Sequence, residues 1–426
     1  MMRRHRVLAT WLLSLLLLAA CGPNQPTATP IPPPAAATLP PAVPTTASET
    51  APTPPGLEGS GDVKRTLLTF DDLIGGFEAT SPLAEEALAL PDDAAPSQHV
   101  FEGRLELVGE ETGGYMQVVQ GNPDVGPEAA HLPAFDYEFV QSGSYLVPVQ
   151  RGLVIADHPN WNLILGPGRI WQEDGDHGHS RASLPFALVW KGGNATFNGT
   201  MTFLFDGETV SRVWYQVTQE TTSSLKADFF GLLEAAYHPG TGGDADQLRS
   251  AFAQELAGRF PTRPLDQLAE DYPGIDVTAF GRGVSPQHLT IYGFVIDGVN
   301  YVGRCPTRYG LYPHCEWMRA TSYSTAKSAF TSVALMRLAQ KYGPEVAGSL
   351  IKDYIPEHAA SPGDWSRVTF NDTLDMATGN YRSRDYMVDE DGPQMGDFFE
   401  AQPYDARIAA AFDWPNSAKP GRHWVY

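Results

Sequence analysis

The chain has 426 residues, with 29 Lys and Arg against 50 Asp and Glu, for a formal net charge of −21. A protein this acidic has no electrostatic reason to bind nucleic acid or an anionic lipid surface. At 42% hydrophobic residues it is apolar and long enough to bury a sizeable core.

The N-terminus reads as an export signal. Arg3, Arg4 and Arg6 precede the apolar run Val7 to Leu18, which is too short for an ordinary membrane span. The run ends in Leu18-Ala19-Ala20-Cys21, which resembles the lipobox of a bacterial lipoprotein. That resemblance implies that residues 1–20 are a signal peptide, that Cys21 is acylated, and that the mature chain is extracytoplasmic, lipid-anchored in the cell envelope. A plain secretory signal and an uncleaved anchor are the alternatives. Removing three arginines and no acids takes the charge from −21 to −24. Residues 21–61 then form a linker: Gly22 to Gly56 holds 12 of the 36 prolines and one charge, Glu49. Such a segment cannot bury a core and is expected to be extended.

Residues 62–240 carry mainly strand signals. Met201, Phe203 and Phe205 alternate, Asp206-Gly207 turns, and Val213, Tyr215 and Val217 alternate again, which is a hairpin pattern. Val154-Ile155, Leu163 to Leu165 and Phe186 to Trp190 read as further strands, whereas Lys226 to Tyr237 reads as a helix. A β-rich accessory domain with a sandwich architecture is expected. Asp174-Gly175-Asp176-His177-Gly178-His179 reads as a polar loop, with a metal site at His177 and His179 as the weaker alternative. Trp161, Trp171 and Trp190 are core candidates; exposed, they would suit stacking on sugars.

Residues 241–274 form a helical connector. Within it Leu248, Phe252, Leu256 and Phe260 recur every four residues and make one apolar face over Ala245 to Phe260. From residue 275 a second unit begins. Leu289 to Ile296 reads as a strand, Asp297-Gly298 as a turn and Val299 to Val302 as the returning strand. Cys305 and Cys315, ten apart in an oxidising compartment, read as a disulfide. Closing that loop is worth about 2–3 kcal/mol on the chain-entropy model. Two buried free thiols are the other reading.

Tyr323-Ser324-Thr325-Ala326-Lys327 places a serine three residues before a lysine, at the start of an apolar run that reads as a buried helix. Residues three apart on a helix share a face, so the Ser324 hydroxyl and Lys327 amine can meet. A desolvated lysine can activate a serine nucleophile. Spacing alone does not single this site out, because Ser223 to Lys226 and Ser349 to Lys352 repeat it.

The order of elements does single it out, and it resembles the serine β-lactamase-related family of class C β-lactamases, D-alanyl-D-alanine carboxypeptidases and esterases. The hairpin turns at Asp297-Gly298 and the S-x-x-K element is Ser324 to Lys327. Asp353-Tyr354-Ile355-Pro356-Glu357 matches the "yiPe" element. Val368 to Gly379 matches "vTi.dLL.MtSG", and Pro420-Gly421-Arg422-His423-Trp424-Val425-Tyr426 matches "pG..w.Y". The resemblance covers about Ile275 to Tyr426 and implies an α+β chain: the β-rich accessory domain, then a partial β-lactamase-like or penicillin-binding-protein-like domain (275–426), an antiparallel sheet with flanking helices. It also implies an acyl-enzyme serine hydrolase acting on an amide or ester. Ser324 would be the nucleophile, Lys327 the base and Tyr426 a proton shuttle, with no metal or organic cofactor. Its remaining motif positions and its Lys-Thr-Gly or His-x-Gly strand are not in the sequence. The expectation is therefore a C-terminally truncated chain, inactive by itself. The alternative function is a non-catalytic, cell-wall or glycan-binding lipoprotein.

Overall fold

A computed structural model describes residues 56–426 except 76, 79, 122–126, 194, 223, 224, 241, 242, 402 and 403. These residues belong to the compact unit Ala51–Tyr426. The signal region, Cys21, most of the linker and Ser223 lie outside the described residues.

The chain is α+β, with one large antiparallel sheet. Its strands are β1 (Glu102–Gln120), β2 (Asp136–Ser142), β3 (Tyr145–Pro148), β4 (Gly152–Val154), β5 (Trp161–Leu165), β6 (Gly168–Gln172), β7 (Ser180–Trp190), β8 (Thr196–Phe205), β9 (Val213–Thr221) and β10 (Lys226–Pro239). They pair in the order β4-β5-β7-β6-β3-β2-β1-β10-β9-β8, and β8 pairs with β7 as well. Eight strands therefore close on themselves, β7-β6-β3-β2-β1-β10-β9-β8, where the sequence suggested two packed sheets. Strand β7 makes the closure. Its first residues pair with β6 and its last with β5 along one edge, while Ser180 to Val189 pair with β8 along the other. An eight-stranded ring is just wide enough for side chains to fill it. Phe101, Phe139, Trp161, Phe197, Phe203 and Phe229 do so here, each at most 1% exposed.

The outside of β8–β10 is covered too. Leu68, Leu73 and Leu88, from the stretch before β1, pack on Leu204, Trp214, Phe230 and Leu232. Burying three leucines contributes roughly 5–9 kcal/mol gross. The same stretch is pinned by Arg65, whose guanidinium donates twice to Glu173 at 2.6 Å. Arg181, fully buried, donates to Asp176 at 2.6 and 2.9 Å and to the Leu68 carbonyl at 2.9 Å. This covering corrects the helix expected at Lys226 to Tyr237. That segment is β10, buried on both faces over Ala227 to Leu233. A strand with no solvent face loses its alternation and reads like a buried helix.

The helix Ala245–Ala257 lays Leu248, Phe252 and Leu256 against Val147 and Trp317. It stops at Gly258, so Phe260 falls outside it and is 59% exposed. Beyond it, β11 (Thr262–Pro264), β13 (Val299–Val302) and β12 (Gly293–Ile296) form a three-stranded sheet. Strand β12 is half the length expected. Its partner β13 offers only four residues to pair with, so Leu289 to Tyr292 stay outside the ladder.

Cys305 and Cys315 are bonded, with Cα atoms 5.7 Å apart. Their loop docks on the ring: Arg308 donates to Glu220 at 2.8 Å and Asp228 at 2.6 Å, and Tyr312 Oη donates to the Gly199 carbonyl at 2.9 Å. The last part of the chain is short helices around Ile351, Trp365, Val368 and Phe412.

Candidate active site

Ser324 sits at the entry to a helix that begins as a π-helical turn, Lys327–Ser332, and continues as the α-helix Val333–Tyr342. π-Turns of this kind gather at functional sites. The residue before the serine, Tyr323, holds φ at 42°. A bulky side chain in that region is strained and persists only when its surroundings enforce it. Here the Tyr323 hydroxyl donates to the Thr221 carbonyl, at the end of β9, at 3.2 Å. Nothing in a tyrosine's identity announces a left-handed backbone, so sequence reading missed this feature.

Lys327 Nζ donates to Ser324 Oγ at 2.9 Å. Tyr426 Oη donates to the same oxygen, and Lys327 Nζ lies 5.3 Å from the centre of the Tyr426 ring. Ser324, Lys327 and Tyr426, the last 102 residues away in sequence, therefore meet at one atom. The Ser324 backbone N–H has no hydrogen-bond partner among the described residues.

Tyr426 arrives there through a backbone zipper. Ser417 and Ala418 N–H donate to the Gly379 carbonyl at 2.9 and 3.0 Å, Gly421 N–H to Ala377 at 2.8 Å, and Val425 N–H to Met376 at 3.0 Å. Gly379 holds φ at 83°, and a Cβ there would stand 2.3 Å from the Ala418 carbonyl oxygen. Only glycine admits that approach. Upstream, Thr369 caps the helix Phe370–Leu374 in a reciprocal box with Asp372. The segment Val368 to Gly379 thus serves as the rail for the tyrosine.

Two expectations about this site need correction. The helix is not buried: Phe330, Val333 and Met336 are 69%, 55% and 68% exposed, because no described element packs on that face. Lys327 is exposed as well, so burial does not desolvate it. The other serine–lysine spacings fare differently. Ser349 and Lys352 share no hydrogen bond; the Ser349 backbone instead bridges Val346 and Phe370. A serine–histidine pair that sequence reading did not find lies in the ring wall, where Ser183 Oγ and His314 Nε2 are 2.9 Å apart. Both are buried, and burial pushes the His314 imidazole down to about 3. The pair fastens the disulfide loop.

The groups named for the metal and glycan readings have other contacts in the fold. Asp176 is committed to Arg181, His177 lies edge-on to Phe70, and no cluster of three or more His, Cys, Asp or Glu among the described residues could hold a metal. Trp161 and Trp171 are fully buried because they face packed layers, and each indole N–H is used, by the Ala129 carbonyl and by Glu173. Trp190 is half-buried against the ring core.

A cavity of about 370 Å³ opens beside Lys327 and Tyr426. Its wall draws on Trp365, Tyr381, Phe398, Phe399 and Trp414, with Asp389 and Glu390 as its acids. Sequence reading named none of these. Aromatics at 365, 398 and 414 carry no local pattern that joins them.

Comparison with protein-family models, with curated proteins and with solved structures returned no match. Among the described residues no helix is long and apolar enough to cross a membrane.

Proposed function

We propose that this chain is a serine hydrolase of the β-lactamase-related type, acting through an acyl-enzyme on an amide or ester. The observation that carries the reading is the convergence of Lys327 Nζ and Tyr426 Oη on Ser324 Oγ, beside an open cavity. Ser324 Oγ bonds to the substrate carbonyl carbon and gives its proton to Lys327 Nζ, which acts in its neutral amine form, and the Tyr426 hydroxyl relays a proton toward the leaving group. The carbonyl electron pair moves onto oxygen, where the Ser324 N–H donates to it. On collapse the bond to the leaving group breaks, and that group takes up the proton. Water then repeats the sequence and frees Ser324. Neither the two-donor arrangement nor this bookkeeping of protons calls on a cofactor.

A β-lactamase-like domain, the lipid on Cys21 and a place in the cell envelope belong to the same proposal. They rest on the ordered motifs from Asp297 to Tyr426 and on Leu18 to Cys21. The reading is tested by hydrolysis of p-nitrophenyl esters by the purified protein. Ser324→Ala is expected to remove turnover by roughly 10³-fold or more. Lys327→Ala is expected to lower kcat by roughly 10²–10⁴-fold. Turnover that survives Ser324→Ala would overturn the proposal.

A further inference from the structure

The cavity beside Ser324 combines aromatic faces with charge. Trp365, Trp414, Tyr381, Phe398 and Phe399 line it, and it bears one lysine and two carboxylates. Each charge has a different fate. Lys327 is engaged with Ser324 at the mouth. Asp389 is buried, and its two oxygens accept the backbone N–H groups of Arg382 at 2.9 Å and Ser383 at 3.1 Å. Glu390 has no hydrogen-bond or ion-pair partner among the described residues. The nearby cation, Arg382, lies over the Trp414 ring at 6.0 Å and makes no ion pair with Glu390. At the mouth, Tyr386 and Trp424 stack with ring centres 6.3 Å apart, and both rings lie 5.9 Å from Tyr426.

An aromatic wall attracts a cation to its ring faces, by about 0.5–2 kcal/mol per good contact. An unpaired carboxylate on that wall adds a Coulombic preference of the same sign and penalises an anion. We infer that the cavity receives a hydrophobic ammonium group, an alkyl or aryl amine carried by the substrate, with Glu390 as its counter-charge. The aromatic wall supplies contact area and Glu390 supplies the choice of charge. Rejection of anionic groups follows from the same carboxylate. This assignment rests on the proposed hydrolase site only for what becomes of the bound molecule; the binding itself is independent of turnover.

The test is therefore in two arms. In the first, benzyltrimethylammonium and its uncharged carbon analogue, neopentylbenzene, are titrated into the Ser324→Ala protein and followed by tryptophan fluorescence. The ammonium is expected to bind at least 10-fold more tightly than the neutral analogue. Glu390→Gln is expected to reduce that difference to the part the ring faces supply while leaving the neutral analogue's affinity unchanged, and Glu390→Lys to favour phenylbutyrate. Equal affinity for the two probes, no binding of either, or an ammonium preference indifferent to Glu390→Gln would overturn the inference. In the second arm, wild-type protein hydrolyses p-nitrophenyl esters with ammonium-bearing, neutral and carboxylate-bearing acyl groups, and kcat/KM is expected to fall in that order. Ser324-dependent hydrolysis without the order defeats the inference alone. Ammonium binding without Ser324-dependent hydrolysis defeats the hydrolase reading alone.

Discussion

Ser324 Oγ accepts from the Lys327 side chain three residues on and from a tyrosine hydroxyl brought from 102 residues away. The first contact was legible in the sequence, because three-residue spacing on a helix fixes it. The second was legible only through the order of motifs, since nothing local ties Tyr426 to Ser324. What sets the distance is Gly379. Its positive φ and the 2.3 Å clearance to the Ala418 carbonyl leave no room for a side chain. Gly379→Ala is expected to cost about 1–3 kcal/mol and to displace the tyrosine, lowering ester turnover by an order of magnitude or more while circular dichroism keeps the ring signature. Gly175→Ala, where an added Cβ meets nothing within 4 Å, is the control and is expected to be neutral within about 0.5 kcal/mol. Equal effects from the two substitutions would contradict this role for Gly379.

At the scale of elements, legibility followed solvent contact. The β8–β9 hairpin, the β12–β13 hairpin and the Ala245–Ala257 helix announce themselves because turn residues bound them or one face stays wet. Strand β10 was misread because Leu73 and its neighbours cover the face that would have shown polar alternation. The covering stretch was itself invisible, since its leucines follow no period. It also delivers Glu85 against β9, where Thr218 donates to one carboxylate oxygen and the other has no partner. Burial pushes the Glu85 carboxyl up to about 7 from 4.5, against the hydrogen bond from Thr218 that pulls it down. The folded value lies above the unfolded one, so the fold holds the extra proton between them. The stability from Glu85 is fully present below about pH 4.5 and is lost as pH rises through about 7, a change on the order of 3 kcal/mol. Glu85→Gln should remove that component: between about pH 5 and 8, wild-type Tm should fall on the order of 5 °C further than the variant's. Parallel Tm curves for the two proteins would contradict the assignment.

The described residues form a filled eight-stranded ring with a disulfide loop fastened to its wall and a serine helix leaving that loop. Closure of the ring could not be read locally, because it depends on β7 having partners along both edges at once. The fastening matters to the site. Arg308 on Glu220 and Asp228, and Tyr323 on Thr221, tie the ends of β9 and β10 to the residues just ahead of Ser324. The ring and Ser324 are thus parts of one mechanical frame, and the proposal is that Ser324 Oγ is the reactive atom in it. Peptide mapping by mass spectrometry after treatment with a fluorophosphonate tests that claim most directly. One adduct per chain is expected, on Ser324, absent from Ser324→Ala and slowed in Lys327→Ala. An adduct on Ser183 or Ser349, or labelling that persists in Ser324→Ala, would contradict it.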